Sequence, residues 1–250
     1  MRHPAKLVTA LALLLAPASA RAADPSALWN IVGGQCVPDE QTAHDPAPCA
    51  AVDLAGGVAV LKDINGVAQF LLIPTVRISG IEDPAILAPD AVNYWAAAWQ
   101  ARSFVEARLH TTLPRDLVSL AINSSVGRTQ NQLHIHVDCV RPDVHDFLTA
   151  NLDKVSSAWS VFPVPLAGHI YRSMRINQDT LGGVDPFRVL ADTDPGARAD
   201  MGHQTIVVVG ATFPDGTAGF VVLNDHADLT AGDFASGEQL QDHTCAVVPK

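Results

Sequence analysis

The chain of 250 residues carries a formal net charge of −10. That balance excludes a general nucleic-acid binder, because neutralising a phosphate backbone takes a basic face. Its one long apolar run lies at the N-terminus, which excludes a protein built from several membrane-spanning helices.

Arg2, His3 and Lys6 precede an uncharged Leu- and Ala-rich stretch from Leu7 to Ala20, the layout of a secretory signal. Small residues at Ala18, Ala20 and Ala22 suit processing, so cleavage near Ala22 or Ala23 is the preferred reading. Retention of residues 1–22 as a membrane anchor is the alternative. Residues 23–250 are then expected to form one exported globular domain. Export makes Cys36, Cys49, Cys139 and Cys245 candidates for disulfides rather than metal ligands, since no C-x-x-C pair occurs. Of the three connectivities, Cys36 with Cys49 would close a Pro-rich polar loop. Cys139 with Cys245 would tie the C-terminal tail to the strand that carries the chemistry.

A helical start spans Ser26 to Val32 and leads into a polar loop. The short apolar runs Gly57–Asp63 and Ala68–Ile73 flank Asn65-Gly66, a hairpin signal. A helix follows from Asp90 to Thr111, with Trp95, Ala98, Trp99, Arg102, Phe104 and Val105 along one stripe and Asp90 as its cap. Pro114 separates it from a strand at Leu117–Asn123, a polar loop at Ser124–Asn131 and a second strand at Gln132–Val140. Residues 143–159 have helical spacing. Thr205–Phe213 and Gly219–Asn224, joined through Pro214-Asp215-Gly216-Thr217, form another hairpin. The order of elements predicts an α+β fold in which helices cover an antiparallel sheet. The late hairpin echoes Gly57–Ile73, which leaves open a degenerate internal duplication.

The chemistry concentrates in Leu133–Asp138. Strand alternation puts Leu133, Ile135 and Val137 on one face and His134, His136 and Asp138 on the other. Neighbours on a face lie roughly 6.5 to 7 Å apart, close enough to serve one bound group. Two imidazoles and a carboxylate are costly to bury without partners, so the row is either a site or a polar face turned to water. An imidazole could attack phosphorus, act as a base near neutral pH, or bind zinc. H-x-H-x-D is similar to the ligand motif of metallo-β-lactamase-type hydrolases, although that motif continues with a histidine where this chain has Cys139. From the side chains alone these chemistries stay open.

The hairpin, the segment QFLLIPTVRISGIEDP, the helix and then NSSVGRTQNQLHIHVDC resemble the successive parts of the histidine-triad superfamily of nucleotide hydrolases and transferases, over roughly residues 57–142. With RPDV at Arg141–Val144 and GHIYR at Gly168–Arg172, the resemblance narrows to the bacterial CDP-diacylglycerol pyrophosphatases, a divergent branch. It implies a histidine-triad-like antiparallel sheet, a phosphoanhydride hydrolase working through a nucleotidyl-histidine, CDP-diacylglycerol as substrate at a membrane surface, and a periplasmic location. It implies neither a metal nor another cofactor. Carried over without gaps, Asn123 and Gln130 match the family's loop residues, His134 its first triad histidine and His136 its central nucleophile, while Asp138 stands where a third histidine is usual. A register shifted by two residues makes His134 the nucleophile. Charge developing on phosphate oxygens needs donors, and the polar loop supplies Ser124, Ser125, Gln130 and Asn131 beside Asn123, with Arg77, Arg128 and Arg141 as candidate phosphate partners. Lys62, His169 and His203 are weaker candidates. The competing readings are a metal-dependent phosphoesterase, an exported lipid- or nucleotide-binding protein, and a nucleotidyl transferase.

Overall fold

The computed structural model describes residues 24–248, so the leader assigned to residues 1–22 lies outside the described residues. Among these residues no helix is long and apolar enough to cross a membrane.

Nine strands of the described residues form one antiparallel sheet: β1 (Ala51–Asp53), β2 (Val58–Lys62), β3 (Phe70–Pro74), β4 (Val118–Ile122), β5 (Ile135–Cys139), β6 (Ser160–Val161), β7 (Arg172–Ile176), β8 (Gln204–Thr212) and β9 (Ala218–His226). Their spatial order is β1-β2-β3-β5-β4-β8-β9-β7-β6. The α+β expectation is met. The Asn65-Gly66 signal does mark a hairpin, with Gly66 at φ +68, but the connection runs over residues 63–69 between the paired Lys62 and Phe70. Lys62 closes it by donating to the carbonyls of Asp63, Asn65 and Gly66 at 2.6, 3.1 and 3.0 Å.

The N-terminal helical segment runs through α1 (Ala27–Ile31), a π-helical turn at Val32–Cys36 and α2 (Val37–Ala43). The long helix α3 (Tyr94–Leu109) starts later than Asp90, because the Asn93 side chain accepts from Ala96 N and supplies the cap. Its buried face, including Trp95, Trp99 and Val105, shares a core with Leu72, Leu120, Ile135 and Val137. Trp95 meets Phe187 edge-on at 5.2 Å, and Trp99 meets Phe220 at 4.8 Å. The helix expected over residues 143–159 is shorter. It appears as α4 (Pro142–Thr149), and beyond it Asn151 Nδ2 donates to the Phe147 carbonyl, capping the last turn with a side chain. Leu152 and Val155 still pack inward, but from a 3₁₀ turn and a loop. Two further helices, α5 (Pro186–Thr193) and α6 (Pro195–Ala199), add Phe187, Leu190 and Ala197 to the core beneath α3.

Read outward from the central β4–β8 pair, one side runs β4, β5, β3, β2 and the other β8, β9, β7, β6. Helix α3 links β3 to β4, as α5 and α6 link β7 to β8. The late hairpin therefore continues the same sheet, but by position β8–β9 matches β4–β5 rather than the Gly57–Ile73 hairpin it echoes in sequence. The two sides differ on the face opposite α3. There Val207, Val209, Val221 and Leu223 of β8 and β9 are covered by Val144 and Leu148 of α4. Leu28 and Val32 cover Ala59, Leu61, Leu71 and Ile73 of β2 and β3. Strand β5 lies between these two apolar plugs, which positions the site.

Candidate active site

Strand β5 pairs His136 with Leu71 of β3 on one side and Ala121 of β4 on the other, and Asp138 with Ser119. The alternation holds: Leu133, Ile135 and Val137 face the core, while His134, His136 and Asp138 share the opposite face. That face is not turned to water, since the three residues are only 8%, 4% and 0% exposed.

His134 precedes the ladder, and its Nδ1 lies 2.7 Å from the carbonyl oxygen of Gln132. A carbonyl can only accept, so Nδ1 carries the hydrogen and Nε2 keeps a free lone pair. His136 is held the opposite way. Its Nδ1 lies 2.9 Å from Gln69 Nε2, and that same amide nitrogen lies 3.2 Å from Glu238 Oε1, which fixes the amide orientation. Nδ1 of His136 therefore accepts, and Nε2 carries the hydrogen. Nε2 is shielded by protein and meets no hydrogen-bond partner. The two rings stand edge to face at 4.8 Å. Burial holds both imidazoles below the usual histidine range, and at His136 the charge that His134 could carry adds to the effect. At neutral pH His134 keeps a free Nε2 lone pair, while the Nε2–H of His136 stays enclosed by protein.

The C-terminal segment completes the site. Asn123 Oδ1 accepts from Glu238 N at 3.1 Å and from Ser236 Oγ at 3.2 Å, and its Nδ2 donates to Glu238 Oε2 at 3.2 Å. Gln241 Nε2 donates to the Ser119 carbonyl at 2.9 Å and to the His136 carbonyl at 3.3 Å. His243 Nδ1 donates to Asp138 Oδ2 at 2.8 Å, while its Nε2 lies 3.3 Å from Glu238 Oε1. The other Asp138 oxygen accepts from Cys139 N at 2.8 Å. The hydrogen bond to Asp138 holds His243 above the usual histidine range. Burial pushes Asp138 up and His243 pulls it back. A disulfide between Cys139 and Cys245, 106 residues apart, anchors the segment to β5. Its counterpart joins Cys36 to Cys49, so both expected bridges are present.

His134, His136, Asn123 and Glu238 open on a cavity of about 240 Å³, whose other wall is apolar and includes Leu28, Ile31, Leu61 and Leu71. The cavity thus joins a polar floor to a hydrophobic side. A family model described as CDP-diacylglycerol pyrophosphatase matches residues 23–249. The chain belongs to the CDP-diacylglycerol pyrophosphatase family. A curated CDP-diacylglycerol pyrophosphatase of Yersinia pestis is 44% identical over 247 residues, covering 97% of this chain and 94% of that one.

Of the residues that sequence singled out, this family member brings His134, His136, Asn123, Gln130 and Lys62 to the cavity wall. Gln130 spends its amide on the N-terminal segment, accepting from Leu28 N at 2.9 Å and donating to Asp24 O at 3.0 Å. The rest point elsewhere. Ser124 Oγ donates to Phe234 O at 2.6 Å and accepts from Gly127 N, Ser125 N bonds Gly202 O and Asn131 N bonds Pro25 O. Arg77 reaches Ser26 and the Trp29 ring. Arg141 pairs with Asp143, and Arg128 is clamped by Glu82 through both ends of its guanidinium. His169 pairs with Asp233, and His203 with Asp200. Asp138 is drawn toward His243 rather than converging with the two imidazoles on a common point. The residues missed from sequence are Gln69, Glu238 and His243. The one signal that led toward them was Cys245, whose pairing with Cys139 brings the tail onto the motif strand.

Proposed function

We propose that the protein hydrolyses the phosphoanhydride of CDP-diacylglycerol to CMP and phosphatidate through a cytidylyl-histidine on His134. The observation that carries the covalent route is the bond from His134 Nδ1 to the Gln132 carbonyl. It fixes the tautomer whose Nε2 lone pair can attack the nucleotide-side phosphorus without first losing a proton. The phosphoanhydride P–O bond breaks, its electron pair leaves with phosphatidate, and the Gln132 carbonyl faces the positive charge that develops on the imidazole. His136 stands edge to face with His134 at 4.8 Å and supports that ring, its own Nε2 being enclosed by protein. These orientations support the register shifted by two residues, with His134 as nucleophile and His136 as its neighbour. The mirrored order of strands about β4–β8 supports a histidine-triad-like half on each side, the second with its face filled by apolar side chains. The apolar wall of the cavity suits a lipid-linked substrate, and the leader would deliver the protein to the periplasm or the periplasmic face of the inner membrane. Incubating the purified mature domain with detergent-solubilised CDP-diacylglycerol should yield CMP and phosphatidate in equal amounts. Binding without turnover would return the chain to the reading of a lipid- or nucleotide-binding protein.

The two shifted histidines set the pH dependence of activity and of stability separately. Because burial lowers His134, its neutral form persists below pH 6.5, and kcat/KM should begin to fall only on the acid side of that value. Because Asp138 raises His243, the tail imidazole stays cationic above pH 6.5. The stability it contributes is complete below pH 6.5 and is lost as pH rises through its raised folded pKa. Urea midpoints for the wild type and His243→Asn should therefore differ at pH 6 and converge toward pH 9. A difference that widens with pH would contradict this sign.

A further inference from the structure

We infer that Glu238 is the general base of the second half-reaction, the residue that makes the protein return its cytidylyl group to water; the inference rests on the covalent route proposed above. The first step needs no base, since the attacking imidazole is neutral and the leaving phosphate is already an anion. The second step does, because water must give up a proton as its oxygen bonds to phosphorus. His134 is then occupied by phosphorus. His136 has its Nδ1 lone pair directed at Gln69 and its hydrogen on Nε2.

Among the described residues two carboxylates line the cavity, Asp63 and Glu238. Asp63 belongs to the β2–β3 connection, where its Oδ1 accepts from Asn65 N at 2.9 Å. Glu238 is held at the histidines. Its Oε1 takes Gln69 Nε2 and lies 3.3 Å from His243 Nε2, and its Oε2 takes Asn123 Nδ2. A carboxylate has about four acceptor positions, so Oε2 keeps one without a partner among the described residues, on a side chain that lines the cavity. Its Oε1 lies 3.5 Å from His136 Nδ1, which places it beside the reacting strand. His243 offsets the charge that would otherwise repel a phosphoryl group. In the step itself the water oxygen bonds to phosphorus, the P–N bond breaks and its electron pair returns to His134 Nε2. The water proton passes to Glu238 and from there to solvent when CMP leaves. His134 ends as it began, with its hydrogen on Nδ1.

The test is single-turnover rapid quench with CDP-diacylglycerol labelled on the cytidylyl phosphorus. Glu238→Gln keeps the side chain's shape and an acceptor for Asn123. It should release phosphatidate in the first turnover near the wild-type rate, accumulate labelled protein close to one per chain, and lower kcat by about 10²- to 10⁴-fold. Glu238→Asp, which retains a carboxylate, should clear the adduct faster than Glu238→Gln. The inference is overturned if Glu238→Gln slows both steps equally without accumulating label, or if Asp63→Asn accumulates it instead. If neither wild type nor variant carries label on any histidine while CMP forms, the covalent route itself fails, and the inference with it.

Discussion

His134→Ala is expected to lower turnover of CDP-diacylglycerol by about 10⁴-fold or more and to abolish any covalent adduct, because it removes the proposed nucleophile outright. His136→Asn is expected to cost less and to leave an adduct detectable, because it leaves the proposed nucleophile in place. The contrast follows from how the two rings are held. They sit two residues apart on one face and are both nearly buried, yet the Gln132 carbonyl leaves His134 a free Nε2 lone pair, while Gln69 takes up the Nδ1 lone pair of His136, whose Nε2 is enclosed by protein. Steady-state assay of both variants, with circular dichroism to confirm folding, gives the ordering. The reverse ordering would assign the nucleophile to His136 and restore the ungapped family register.

The second large effect concerns the tail. Replacing Cys139 and Cys245 together by alanine should lower the thermal midpoint by roughly 10 °C or more. A loop closed over 106 residues is worth about 4 to 5 kcal/mol on chain-entropy grounds, and a domain of this size moves by about 2–4 °C per kcal/mol. Removing the bridge between Cys36 and Cys49, which spans 13 residues, should cost less, about 3 kcal/mol on the same scale. Activity separates the two bridges more sharply than stability does. The first holds Glu238, Gln241 and His243 against β5, so its loss should depress kcat even well below the melting transition. Scanning calorimetry with parallel assays checks this, and a full-rate enzyme lacking the Cys139–Cys245 bridge would show that the tail docks without it.

Much of this arrangement was legible because it is local. The two-residue alternation through Leu133–Asp138 placed the aliphatic and chemical faces correctly, and the aromatic stripe of Trp95 and Trp99 located α3. Short edge strands such as β1 and β6 carry too few residues for a pattern to show, and the helical spacing after Pro142 outran the helix that formed. The loop donors failed for a different reason. Ser124, Ser125 and Asn131 have suitable chemistry, but the Ser124 hydroxyl and the backbone amides of Ser125 and Asn131 are spent on the backbone of other segments, and none of the three lines the cavity. Glu238 and His243 lie about a hundred residues from β5 and in no motif, so their types and spacing say nothing by themselves. Asp138 has a partner that the motif strand does not show: His243 Nδ1 donates to it at 2.8 Å from the C-terminal segment.

The most direct measurement is to quench the wild-type enzyme in alkali during turnover, digest it, and locate the nucleotidylated residue by mass spectrometry. The expected result is a mass increase of one cytidylyl group on His134. The same group on His136, or CMP production with no modified histidine at any time, would contradict the assignment.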